Sequence, residues 1–252
     1  MITNPRRKKR IQLLEDERHA VMSEFYELSD GRMPSKKFKA EMESLTKRDP
    51  DFYDSYLTAA DLEYYYGNHS KGDAIIKQAY KRAITRIADC RGDWPKEMPW
   101  GWLENRHLMR AIDRYAYLLW EDGQTEDALE IFRHLLRANP GDNQGARHSI
   151  LAILMGMGAD WEDMFMITTG PAAGMGLDAR QLGDWFDTNA KKFPDEFDWL
   201  FAEWKKFDID NLEEDLRTGE QMNILCGQKH FEAIGTNFAV ATKKDLSDLK
   251  IG

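Results

Sequence analysis

The chain has 252 residues, 42% of them hydrophobic and 31% charged, with a net charge of −9. That is enough for one large domain or two small ones with an ordinary globular core, and the negative balance argues against general nucleic-acid binding. No apolar run reaches the ~18 residues of a membrane span, and Cys90 and Cys226 are too few for a metal site or a disulfide framework, so a reducing cytoplasm is the expected location.

Taken in order, the chain opens on a basic arm, MITNPRRKKR, followed by an acidic amphipathic stretch where a signal peptide needs an apolar one. Residues 11–28 place Leu14, Ala20, Val21, Phe25 and Leu28 along one stripe, which predicts a helix. A break at 30–34 precedes a second helix over 35–46, carrying Phe38, Met42 and Leu45 at helical spacing. Asp49-Pro50-Asp51 is a helix-start signal, because proline tolerates the first turn and acids favour its positive end. An aromatic-rich helix over 52–66 follows, closed at Gly67-Asn68, and its partner covers 70–89. Residues 90–103, CRGDWPKEMPWGWL, form a loop rich in tryptophan. Further helices are expected at 104–122, 124–138, 142–157 and 159–167, with connections so short that neighbours run antiparallel. Beyond a small-residue loop, TTGPAAGMG (168–176), shorter helices are expected at 178–192, 197–207 and 209–217. TNFAVAT (236–242) reads as a short strand or an extended tail.

The pair 105–122 and 124–138 has a particular grammar. Ile112, Tyr115, Ala116 and Leu119 share one face, and Gly123 suits a left-handed cap. Ala128 is small enough for close approach, Phe132 and Leu135 fill the space beside it, and Pro140 stops the hairpin. This order of small, aromatic and proline positions resembles the tetratricopeptide repeat, a helix pair of ~34 residues. The pair 53–66 and 70–89 fits more loosely and needs about two extra residues in its turn, while 142–167 reads as a third, degenerate pair. Trp100-Gly101, Glu104, Arg106, Asn139-Pro140 and Asp142-Asn143-Gln144-Gly145-Ala146-Arg147 further resemble an uncharacterised group of bacterial tetratricopeptide proteins. Those proteins carry W-G…E-x-R before the main repeat and N-P-x-D-N-Q-G-x-R after it; His107 stands where that pattern usually has proline.

The resemblance implies an all-α fold of antiparallel helical hairpins stacked as a short right-handed superhelix. Its parts are an arm and hairpin at 1–48, a repeat array at 49–168 with the tryptophan-rich insertion at 90–103, and an acidic helical region and tail at 169–252. It also implies a non-catalytic scaffold holding a protein or peptide partner in a concave groove, with no cofactor, no metal and no membrane. First helices line such a groove, which projects Asp54, Leu57, Asp61 and Tyr64, then Arg110, Asp113, Tyr117 and Trp120, then Gln144, Arg147 and Leu151. The expected partner-binding set is Asp61, Tyr64, Arg106, Arg110, Asp113, Tyr117, Gln144 and Arg147, with aromatic bodies for burial and arginines for carboxylates. At its rim, Glu104, Arg106, Asn143 and Gln144 stand near one another. They either contact an anionic ligand or lock the repeats through Glu104–Arg147 or Asp142–Arg106 pairs, with Asp142 or Asn143 as an N-cap.

Two rival functions remain in the sequence. RRKKR (6–10) is either a solvated arm or a contact for nucleic acid, lipid or an acidic partner, and the junction near TTGPAAGMG is a place for an enzyme site. Glu126, Glu130 and His134 lie at i, i+4 and i+8 on one helix but read as a solvated face, lacking the second ligand helix of a di-metal bundle. Most of the eight tryptophans read as core, the alternative being that their loop shapes a pocket at one groove end.

Overall fold

The computed structural model describes residues 19–29, 34–89, 91–169, 174 and 176–206. The arm RRKKR, the expected helix at 209–217 and the stretch 236–242 lie outside them. Among the described residues all regular elements are helical, with one isolated bridge, Met166 to Leu177, and no strand. None of their helices is long and apolar enough to cross a membrane. The chain divides into two compact units, 1–159 and 160–252.

The first unit contains α1 (His19–Ser29), α2 (Lys36–Arg48), α3 (Tyr53–Tyr65), α4 (His69–Ile87), α5 (Leu103–Glu121), α6 (Thr125–Ala138) and α7 (Ala146–Leu154). Local chemistry sets several of these ends. The Ser35 hydroxyl accepts the Phe38 amide at 3.1 Å and starts α2. The Asp49 carboxylate accepts the Asp51 amide at 3.1 Å and shapes the turn into α3. Each pair packs through small residues: Ala60 and Ala79 in α3 and α4, Ala116 and Ala128 in α5 and α6, all wholly buried. Phe132 fills the space beside Ala128, edge-on to Tyr117 at 5.3 Å.

The three helices α3, α5 and α7 end in the same way. Gly67, Gly123 and Gly156 all take left-handed φ, between 73° and 78°. At each, the glycine amide bonds back to the carbonyl three residues earlier, and the next amide to the carbonyl five residues earlier, the paired bonds of a Schellman cap. The extra residues expected in the first hairpin's turn are absent: α3–α4 and α5–α6 are joined by three-residue turns alike, 66–68 and 122–124. Successive pairs also touch. The Tyr80 ring on α4 stacks on Tyr115 of α5 at 4.0 Å, and α3 lies against α5. The N-terminal hairpin joins the same body: Met22 and Phe25 of α1, Phe38, Met42 and Leu45 of α2, and Phe52 share one core.

Two expectations in the 142–167 region are corrected. α7 begins at Ala146 rather than at 142, because Asp142 (φ 46°) and Gly145 (φ 81°) are left-handed and make 142–145 a turn. The segment expected as a helix at 159–167 is a 3-10 turn, Trp161–Phe165, and it belongs to the second unit, so 142–167 does not form a helix pair. That unit continues with α8 (Ala179–Asn189), capped by Asp178, and α9 (Pro194–Lys206). Its core is aromatic, with Trp161 stacked on Trp185 at 5.8 Å and Phe186 edge-on to Phe197 at 5.2 Å.

Gly123→Ala meets no steric neighbour, so its cost is the left-handed backbone alone, about 1 kcal/mol. Ala128→Leu overpacks the α5–α6 seam and costs about 1–3 kcal/mol. Urea midpoints of the two variants should fall in that order.

Candidate functional site

The start of α3 has no side-chain cap of its own, since its N-cap position is Phe52. Its first amide, on Tyr53, instead donates to Nδ1 of His107 at 3.3 Å, from the first turns of α5. An Nδ1 that accepts places the neutral ring's proton on Nε2, and Nε2 donates to Glu104 Oε2 at 3.0 Å. The ring lies buried between Phe52 and Tyr53, with centroids at 5.2 and 5.3 Å. Although Glu–His resembles a catalytic pair, both ring nitrogens are engaged inside the protein, and the arrangement is a brace between two helix starts.

One turn along, Arg110 and Asp54 make a bidentate pair: Nε donates to Oδ1 at 2.9 Å, and Nη2 donates to Oδ2. The Tyr26 phenol on α1 lies close enough to Arg110 for the two to interact electrostatically. Burial opposes the Arg110 charge, but Asp54 and Tyr26 outweigh burial and raise its pKa above the ordinary value. Burial raises the Tyr26 pKa, and the Asp54 charge adds to this, so the phenol is neutral near pH 7. Arg106 is held differently. Its Nε donates to the Trp100 carbonyl at 2.7 Å, and its guanidinium lies 5.4 Å from the Trp100 ring centroid, with that of Arg110 at 6.0 Å. Burial, then repulsion from Arg110, lowers its pKa to about 10. The tryptophan loop therefore serves this corner by covering two arginines with Trp100, and its Met98 amide is tied to the Ala138 carbonyl of α6 at 2.8 Å.

The other expected groove residues fall into two groups. Asp61 pairs with Arg114 at 2.8 Å on the exposed surface, and the Arg114 guanidinium lies 5.9 Å from the Tyr64 ring. The Tyr64 hydroxyl donates to Asp73 at 2.7 Å, and burial, then this bond, raises its pKa. Tyr117 reaches α7, its hydroxyl 2.8 Å from that of Ser149, and Asp113 is half-buried on the same helix. Gln144 lies in the turn before α7 and Arg147 in its first turn. The buried Asp142 carboxylate accepts the Arg147 amide at 3.1 Å and its Nη1 at 2.8 Å. At the rim, Glu104 is bonded to His107 and Asp142 to Arg147. Asp54, Trp120 and Leu151, projected into the groove, are buried. On the outer face, Glu130 pairs with Arg133 at 2.6 Å, and His134 Nδ1 donates to the Glu130 carbonyl at 2.7 Å.

Sequence reasoning passed over Glu63, which is 1% exposed. Its carboxylate meets Lys39 of α2 at 2.7 Å, Lys71 of α4 at 2.5 Å and the Asn68 side-chain amide at 2.8 Å. A solvent-open depression of about 590 Å³ lies beside it, lined also by Gly67, His69 and Ser70. Burial raises the Glu63 pKa, but the Lys39, Lys71 and Asn68 bonds lower it further, to about 2.

No protein-family model, no curated protein and no solved structure matches the chain, so its function is read from its own geometry.

Glu63 is more acidic folded than unfolded, so its contribution is fully present above its ordinary pKa of 4.5 and is lost as pH falls towards 2. In urea titrations, wild type should exceed Glu63→Gln at pH 7, and the gap should close between pH 4.5 and 2. His107→Leu removes the acceptor of the Tyr53 amide and the donor to buried Glu104, and should cost about 3 kcal/mol in the same assay.

Proposed function

We propose that the chain is a non-catalytic, tetratricopeptide-like scaffold holding a peptide segment or partner protein on the face shared by α3 and α5. The hairpin pattern supports the class of fold: two helix pairs with the same Schellman turn, stacked so that their first helices lie side by side. The observation that carries the binding reading is the exposed Asp61–Arg114 pair beside the half-buried Tyr64 ring. An exposed ion pair contributes only about 0–1 kcal/mol to folding, so its charges are cheaply exchanged for those of a partner. The tyrosine beside them, anchored through Asp73, offers a rigid apolar surface with little entropy left to lose. The engagement of both His107 nitrogens supports the non-catalytic part of the reading.

The test is a charge swap that keeps the pair while reversing its polarity, Asp61→Arg with Arg114→Glu. Affinity purification from the native host should recover a partner with wild type and lose it with the swap, at unchanged thermal stability. Recovery of the same partners by both proteins would remove this face from the proposal.

A further inference from the structure

Among the described residues, Arg106 carries a buried charge with no counter-ion. Its side chain belongs to a residue only 4% exposed, its Nη1 has no hydrogen-bond partner, and no described carboxylate forms an ion pair with it. The charges acting on it are Arg110, which repels, and the phenol of Tyr26. Asp54 is already taken by both arms of Arg110. Among the described residues, two guanidinium groups, one carboxylate and a neutral phenol therefore leave one positive charge uncompensated beneath Trp100. A buried charge of this kind is costly unless something pairs with it. The neutral Tyr26 phenol is a weak electrostatic neighbour where an anionic oxygen would make a much stronger, charge-assisted bond. Its side chain is only half-buried, so rotating it away opens the arginine edge without unfolding α1.

We infer that Arg106 and Arg110, roofed by Trp100, bind one carboxylate of a peptide, and that the Tyr26 side chain is the displaceable cover of that site. A carboxylate supplies the single missing negative charge and matches the planar guanidinium edge, whereas a phosphate monoester brings about −1.5 to −2. The inference rests on the peptide-binding reading for the nature of the partner. It fails separately from that reading, because its residues are not those of the Asp61–Arg114 swap and its test uses defined peptides.

The full chain is titrated while the arginine side-chain N–H signals are followed by NMR. The probes are a glutamate-containing peptide with amidated C-terminus, the matching glutamine peptide with a free C-terminus, the glutamine peptide amidated, and inorganic phosphate. Shifts of Arg106 and Arg110 with the first probe identify a side-chain carboxylate as ligand, and shifts with the second identify a terminal one. Tyr26→Ala should bind several-fold more tightly, because the cover over the arginine edge is removed. Arg106→Gln should bind about tenfold more weakly, a loss of about 1.4 kcal/mol. If Arg106→Gln does not fold, Tyr26→Ala decides: unchanged or weaker binding overturns the site. Equal response to the amidated glutamine peptide, response to phosphate alone, or no response at all also overturns it.

Discussion

The starts of α3 and α5 are bonded at two points one turn apart, and the first unit is organised around that joint. At one point the His107 ring closes an uncapped amide of α3, and at the other Arg110 grips Asp54 with both arms. Bonds to charged or buried groups are worth more than those at the surface, and breaking one leaves its partner stranded. The joint therefore fixes the rotation of each helix as well as its distance. With those starts pinned, the faces of α3 and α5 that carry Asp61, Arg114, Tyr64 and Tyr117 are also fixed in register.

The distal ends are set by a different device. A glycine in left-handed conformation satisfies two last carbonyls of each first helix and turns the chain within three residues. The small residues Ala60, Ala116 and Ala128 then let the hairpin helices approach closely, and Tyr80 on Tyr115 ties one pair to the next. Near Asn68 the same turn also gathers Lys39 and Lys71 around Glu63, so one acidic side chain links three consecutive helices.

Polar groups buried in helical proteins commonly serve either structure or ligands, and here a buried Glu–His pair and a buried arginine sit within one turn of each other. Glu104 and His107 complete each other internally, as do Asp142 and Arg147. Arg106 is held by the Trp100 carbonyl and ring, and burial, then Arg110, draws its pKa down to about 10.

The sequence by itself determined the helical periodicity, the glycine-capped turns and the small residues of the hairpin seams, because those depend on neighbours three to five residues away. It placed α2, α3, α5 and α6 within a few residues and put Asp54 and Arg110 on facing first helices. It misread DNQGAR as helix because side-chain capping and backbone turning use the same residue types, and only φ at Asp142 and Gly145 separates them. Which carboxylate meets which cation was decided by the tertiary structure. The sequence reading offered Arg147 for Glu104 and passed over His107, and Glu63 looked like any charge on a helix face. Pairings across 24 to 56 positions, such as Lys39–Glu63 and Asp54–Arg110, depend on how whole helices rotate about their axes, and close packing sets that rotation.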